Sequence, residues 1–199
     1  MNRLSTPCGL RRFSFRRPLF IVLLAAGYLG SLETPALRAS EPFQPGQGWA
    51  TAELGCGLLD RSTPGFSDNH ARFYFGLEGG LALNAQVLLG LECSGWLIQS
   101  GDLNDGSKGS GISQIFAVTR LYPQPGSPFH VQLGAGSITG WDNTPGGARH
   151  NGTGWEVGIG YDRMISSHAA ITPFVRYSNG RAGNLKLSAV TVGVGFTWR

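Results

Sequence analysis

The sequence predicts an all-β fold, an eight-stranded antiparallel up-and-down transmembrane β-barrel. Three observations predict it: two-residue alternation in the last third of the chain, a leader-like start with no later apolar run of membrane-helix length, and breaks that alternate between long and short. From Trp155, the residues Trp155, Val157, Ile159 and Tyr161 alternate with Glu156, Gly158, Gly160 and Asp162. Ile171, Pro173, Val175 and Tyr177 alternate with Thr172, Phe174, Arg176 and Ser178, and Val190, Val192, Val194, Phe196 and Trp198 with Ala189, Thr191, Gly193, Gly195 and Thr197. Period two means strands with two unlike faces. A soluble sandwich can produce this pattern, as can a barrel with lipid outside and a polar lumen inside.

The N-terminus separates from the rest. Arg11, Arg12, Arg16 and Arg17 precede the apolar run Leu19–Ala26, and Ala36-Leu37-Arg38-Ala39 supplies small residues before Ser40. This is the pattern of a secretory signal peptide, and the run falls short of the roughly 20 residues a spanning helix needs. The expected organisation is a signal peptide at 1–39, a linker at 40–47 and a barrel at 48–199. The first 39 residues hold six of the 16 Lys and Arg and one of the 12 Asp and Glu. The remainder therefore has 10 bases and 11 acids, a net charge of −1. Without a basic surplus, nucleic acid is not an expected partner. Cys56 and Cys93 fall on the first and third strands, which are not neighbours. Two strand spacings of about 4.8 Å exceed the roughly 7 Å limit for a disulfide.

Taken in order, the expected strands are Trp49–Leu59, His70–Gly79, Gln86–Leu97, Ile112–Tyr122, Pro128–Thr139 and the three alternating runs of the C-terminal third. Long polar breaks follow the first, third and fifth, at Asp60–Asn69, Ile98–Gly111 and Gly140–Thr153. Short turns follow the second, fourth and sixth, and the break at Asn179–Asn184 is intermediate. Outer-membrane barrels have this asymmetry, with long loops outside and short turns in the periplasm. Strands of this length fit tilted spans of about 9–11 residues better than the usual strand of about 5–6. The fourth strand mixes apolar and polar residues in both parities, so its faces are not assigned.

The expected lumen charges are Glu53, Glu78, Glu92, Glu156 and Asp162, with Arg72 and Arg176 as counter-ions and Arg120 joining them if its strand has that register. Side chains fill a barrel of this size, so these groups are expected to form a charged plug. A turn centred on Ser166 would set Glu156 and Arg176 directly opposite one another. Inward glycines such as Gly134, Gly136, Gly158 and Gly160 are expected to leave room for large lumen side chains. The strand-end aromatics Trp49, Trp96, Tyr122, Trp155, Tyr161, Tyr177 and Trp198 are expected in interfacial girdles.

The runs Gly154–Asp162 and Thr172–Tyr177 and the ending Val192–Trp198 resemble small outer-membrane barrels of the OmpA/OmpX-like type, with the resemblance extending over about residues 48–199. It implies the outer membrane of a Gram-negative bacterium, contact with outer-membrane lipid and lipopolysaccharide, and delivery by the barrel-assembly machinery. That machinery normally reads a terminal aromatic residue; here Trp198 is penultimate. Arg176-Tyr177-Ser178-Asn179 is similar to the His-x-Ser-Asn motif of lipid A 3-O-deacylases, with Ser178 at the nucleophile position. An arginine replaces the histidine base, and a guanidinium does not accept the proton. Leu185–Arg199 contains no carboxylate that could orient a base. The four histidines have no metal-ligand spacing.

The expectation is thus a non-enzymatic barrel with a structural or surface-contact role, no cofactor, no metal and an unidentified surface ligand. The alternatives are a small porin-like channel, a lipid A-modifying enzyme and a soluble lipocalin-like barrel.

Overall fold

In the computed structural model of the chain, the described residues are 42–63, 66–99, 109–142 and 149–199. The expected signal peptide and the centres of two expected outer loops, 100–108 and 143–148, lie outside them. The strands are β1 (Gly48–Thr63), β2 (Phe66–Ala82), β3 (Val87–Gln99), β4 (Gly109–Leu121), β5 (Phe129–Asp142), β6 (His150–Tyr161), β7 (Ala169–Ala182) and β8 (Leu185–Trp198). Strand β6 pauses at Asp162 and resumes over Arg163–Met164 in the same register against β7.

Every sequential pair is antiparallel, β8 pairs back onto β1, and the eight strands form a closed barrel. Closure follows from the edge problem. An open sheet exposes unpaired N–H and C=O groups, which a bilayer cannot hydrogen-bond, so a membrane-spanning sheet must close on itself. No bulge interrupts the β1–β8 or β7–β8 registers, which run unbroken from Ala50↔Trp198 to Ser62↔Lys186 and from Ala169↔Trp198 to Ala182↔Leu185. Parity alone therefore decides which side of the wall a residue occupies.

That parity turns the usual distribution inside out. Leu54, Leu77, Leu91, Ile115, Ile159, Val194 and Phe196 point outward and are exposed. Glu53, Glu78, Glu92, Gln114, Arg120, Gln132, Glu156 and Arg176 point inward and are buried, and the largest fully buried side chain is Arg120. A water-soluble monomer rarely exposes a contiguous apolar patch beyond a few hundred Å². Here the apolar band encircles the wall. Among the described residues no helix is long and apolar enough to cross a membrane.

Several expectations change. The break expected at Asp60–Asn69 is mostly strand: β1 reaches Thr63 and β2 starts at Phe66, in continuous register. The break at Asn179–Asn184 shrinks to a turn after Ala182, with Gly183 at φ +59°, where glycine meets no steric penalty. Both segments contain polar residues that read as loop, but they extend the strands beyond the apolar band. Ser178 lies within β7, not at a loop start. The expected linker is partly packed, because Gly46 N–H donates to the Ala82 carbonyl at 2.8 Å and Phe43 is buried against Tyr122.

Three expected girdle aromatics are lumen residues. Trp49, Trp96 and Tyr122 are buried at 4%, 2% and 5% exposure. Trp49 shares the parity of Glu53, Trp96 that of Glu92, and Tyr122 that of Arg120, so each faces inward despite lying near a strand end. Trp155, Tyr177 and Trp198 face outward and are exposed, and Tyr161 is half-buried. Cys56 and Cys93 are unpaired and exposed on the outer wall.

Ile115 sits outward near the middle of β4. An Ile115→Arg substitution is expected to destabilise the barrel in lipid vesicles by about 2–4 kcal/mol, the cost of a cation at the bilayer midplane. Urea unfolding in vesicles measures it; a change below ~0.5 kcal/mol, as for an ordinary water-exposed site, would contradict a lipid-facing wall.

Candidate functional site: the charged lumen

The lumen is built in layers by inward residues. At its centre Arg176, from β7, donates from Nη1 to Glu92 Oε2 at 2.8 Å and to the Tyr74 hydroxyl at 2.7 Å, and from Nη2 to Glu53 Oε1 at 3.0 Å. Its Nε lies 3.6 Å from Glu156 Oε1. Tyr74 in turn donates to Glu53 Oε2 at 2.9 Å. Arg120, from β4, pairs with Glu78 through Nη2 at 2.5 Å and donates to Thr51 Oγ1 at 3.1 Å. Gln132 couples the two centres. Its carbonyl accepts from Arg120 Nε, and its amide donates to Glu92 Oε2 and Glu156 Oε1, each contact at 3.1 Å.

Side chains from seven strands thus meet around two guanidiniums. Planar forks suit this arrangement because one arginine can satisfy several carboxylate oxygens at once. Aromatic rings take the remaining faces: the Arg120 guanidinium lies 4.4 Å from the centre of the Trp49 ring and that of Arg176 5.0 Å from Phe174. Glycine makes the space. A Cβ at Gly134 would lie 2.7 Å from Glu156 Cγ, and one at Gly76 2.7 Å from the Tyr74 hydroxyl.

Toward the short-turn end, Asp162 accepts from the Tyr122 hydroxyl and from Thr172 Oγ1, both at 2.8 Å, with His130 Nδ1 at 3.7 Å. Phe43 closes this end, packed between Tyr122 and the guanidinium of Arg199. Toward the loop end, Trp96, Ile112, Ile138, Leu59 and Leu187 form a buried apolar layer. The crevice between Trp96, Gln114 and Ala189 is too narrow to admit a water molecule.

The structure brings Glu53, Glu78, Glu92, Glu156 and Arg176 into one cluster and sets Asp162 in the layer beside it. Arg72 shares the inward parity but is only half-buried, nearer the loop end. The register resolves the fourth strand and places Arg120 at the centre. His130, Gln132, Tyr74 and Thr51 complete the network; His130 and Gln132 share the inward parity of their strand, but their role in the network was not legible.

The Glu156–Arg176 pair has a different geometry from that expected. Gly158 stands opposite Arg176, and Ser178 opposite Glu156. The hairpin is centred on Ser167, one residue beyond Ser166, which moves the pairing by two positions. A two-residue shift preserves the face, so the side chains still meet, but diagonally. Among the described residues no group of His, Cys, Asp and Glu could hold a metal.

No protein-family model matches the chain, and no curated protein matches it in sequence. Solved structures do match. Ail, the attachment invasion locus protein of Yersinia pestis, crystallised with the heparin analogue sucrose octasulfate, superposes with a TM-score of 0.55 at 10% identity, covering 76% of this chain and 99% of Ail. Neisserial surface protein A superposes with a TM-score of 0.54 at 16% identity, covering 76% of this chain and 96% of that protein. At such identities the likeness is one of fold: the chain has the architecture of the small eight-stranded outer-membrane barrels.

Replacing Arg176 by Met leaves three carboxylates without their principal counter-ion, an expected loss of roughly 3–5 kcal/mol. In double-mutant cycles read from unfolding in vesicles, the coupling of Arg176 to Glu92 is expected to exceed that to Glu156, because its contact is shorter. Equal couplings, or none, would contradict the geometry.

Proposed function

We propose that the chain is a non-enzymatic barrel of the Gram-negative outer membrane, with a structural role and surface contacts made by its loop end. The observation that carries this reading is the filled lumen. An ion-paired cluster at mid-height lies between an apolar layer on the loop side and a Phe43–Tyr122 closure on the turn side. Among the described residues these layers obstruct a path for water and small solutes, which argues against a porin-like channel.

The geometry also argues against lipid A deacylation. Ser178 is buried in the lumen opposite Glu156, away from the lipid-facing wall on which an acyl substrate would lie. Arg176, at the place of the base, is committed to Glu53, Glu92 and Tyr74. A lipocalin-like role is disfavoured by the apolar exterior and the ion-filled interior, since small-molecule pockets are mostly apolar and open.

Three experiments test the reading. In cell fractionation the protein is expected in the outer membrane; recovery from the soluble periplasm would overturn it. In planar bilayers the folded protein is expected to give no discrete conductance steps, whereas regular steps that vanish in an unfolded control would establish a channel. Epitope tags near Gly106 and Gly146 should be reached by antibody on intact cells, and a tag at Gln124 should not. The opposite pattern would invert the topology.

A further inference from the structure

The outer wall changes character along its height, and on one side it does so on consecutive rungs. The registers of β1 with β8, β8 with β7 and β7 with β6 align the residues of four strands. One outward-facing rung is Cys56, Val192, Val175 and Ile159, and the next toward the loops is Leu58, Val190, Tyr177 and Val157. The third is Asp60, Ser188, Asn179 and Trp155. The fourth is Ser62, Lys186, Arg181 and Thr153. Two apolar rungs are thus followed by a mixed rung carrying an exposed tryptophan, and then by a polar rung with two cations.

Those cations are the unusual feature. Lys186 and Arg181 are direct cross-strand partners, and both are exposed. Like charges directly opposite each other in a sheet are destabilising. Among the described residues neither forms an ion pair; Arg181 spends its Nε on the Gly183 carbonyl at 2.8 Å. The two cations border a groove of about 590 Å³ whose lining also includes Trp155, Asn179, Ser62 and Thr153. Asp60 also borders it, one rung nearer the apolar band. Its carboxylate repels an anion, so the anion is received on the upper rung.

Two adjacent cations, hydroxyl and amide donors and an exposed aromatic face fit a phosphorylated sugar. The cations take the phosphate, and the indole presents an apolar body at the boundary between wet and apolar surroundings. The apolar rungs directly beneath fix where acyl chains attached to that sugar would lie. We propose that the outer wall of β1, β8, β7 and β6 binds the phosphorylated sugar headgroup of an outer-leaflet glycolipid, the lipopolysaccharide class, with its phosphate on Arg181 and Lys186 and its sugar against Trp155. This rests on the membrane reading given above, and adds a particular site to it.

The test uses the purified, membrane-extracted protein in non-ionic detergent, titrated with bisphosphorylated lipid A and followed by native mass spectrometry. The wild type is expected to bind lipid A more tightly than either its dephosphorylated form or phosphatidylglycerol. The double variant R181Q/K186Q is expected to bind about tenfold more weakly, the scale of a lost charge-assisted contact. The variant R163Q, exposed at the opposite end of the barrel, should match the wild type. Both variants alter exposed side chains, and a folded barrel is verified by its heat-dependent shift in electrophoretic mobility. Equal affinity of folded R181Q/K186Q and wild type would overturn the site, as would indifference to the lipid A phosphates. Arg181- and Lys186-dependent binding of a soluble sulfated polysaccharide that lipid A does not displace would also overturn it, in favour of a surface glycan. A wild-type protein that folds without detergent or lipid would sink the membrane reading itself, a failure distinct from loss of the site alone.

Discussion

The ion pairs of Arg120 and Arg176 are the interactions on which the interior depends. A closed sheet of eight strands has a lumen too narrow to stay open, and its alternate residues have nowhere else to go. The outward set must be apolar to meet lipid, so the polar set is confined to the inside. Confined carboxylates are costly unless paired and hydrogen-bonded. Arg176 meets Glu53, Glu92 and Tyr74 while Arg120 meets Glu78, and Gln132 links the two centres. These contacts join strands distant in sequence, so they brace the cylinder across its diameter in a way that the backbone ladder cannot.

The same confinement explains the glycines and the inward aromatics. Gly134 leaves the space that Glu156 occupies, and Gly76 the space of the Tyr74 ring. Trp49 covers one face of the Arg120 guanidinium, supplying a surface that water would otherwise have to provide. The wall and the lumen are therefore separate problems with separate chemistries, joined only by the two-residue period of the strands. The bilayer selects the outer chemistry, and charge pairing selects the inner one.

How much of this was legible follows from which signals are local. The architecture, the strand faces of β2, β3 and β6–β8, and the inward carboxylates follow from parity, which is written in the chain. The faces of β4 do not, because Ile112, Phe116 and Val118 point inward beside Gln114 and Arg120, and only pairing to β3 and β5 settles their side. Strand ends are also non-local. Asp60–Thr63 and Asn179–Ala182 look like loop by composition, yet they continue the ladder past the membrane boundary. Trp49, Trp96 and Tyr122 mislead because position near a strand end and parity disagree, and parity prevails in a sheet without slippage. The diagonal placement of Glu156 and Arg176 turns on a single residue in the hairpin centre, which no local pattern at Ser166-Ser167-His168 specifies.

The central claim is that the chain is inverted, with apolar side chains facing lipid and charges enclosed. Cys56 and Cys93 report on it directly, since both lie on the outer wall. The measurement is maleimide labelling of the folded protein in phospholipid vesicles, comparing a lipid-soluble reagent with a water-soluble, membrane-impermeant one. The account predicts that both cysteines react with the lipid-soluble reagent and are protected from the impermeant one until the barrel is unfolded. Rapid labelling of both by the impermeant reagent in the folded, vesicle-bound protein would place that wall in water and contradict the account.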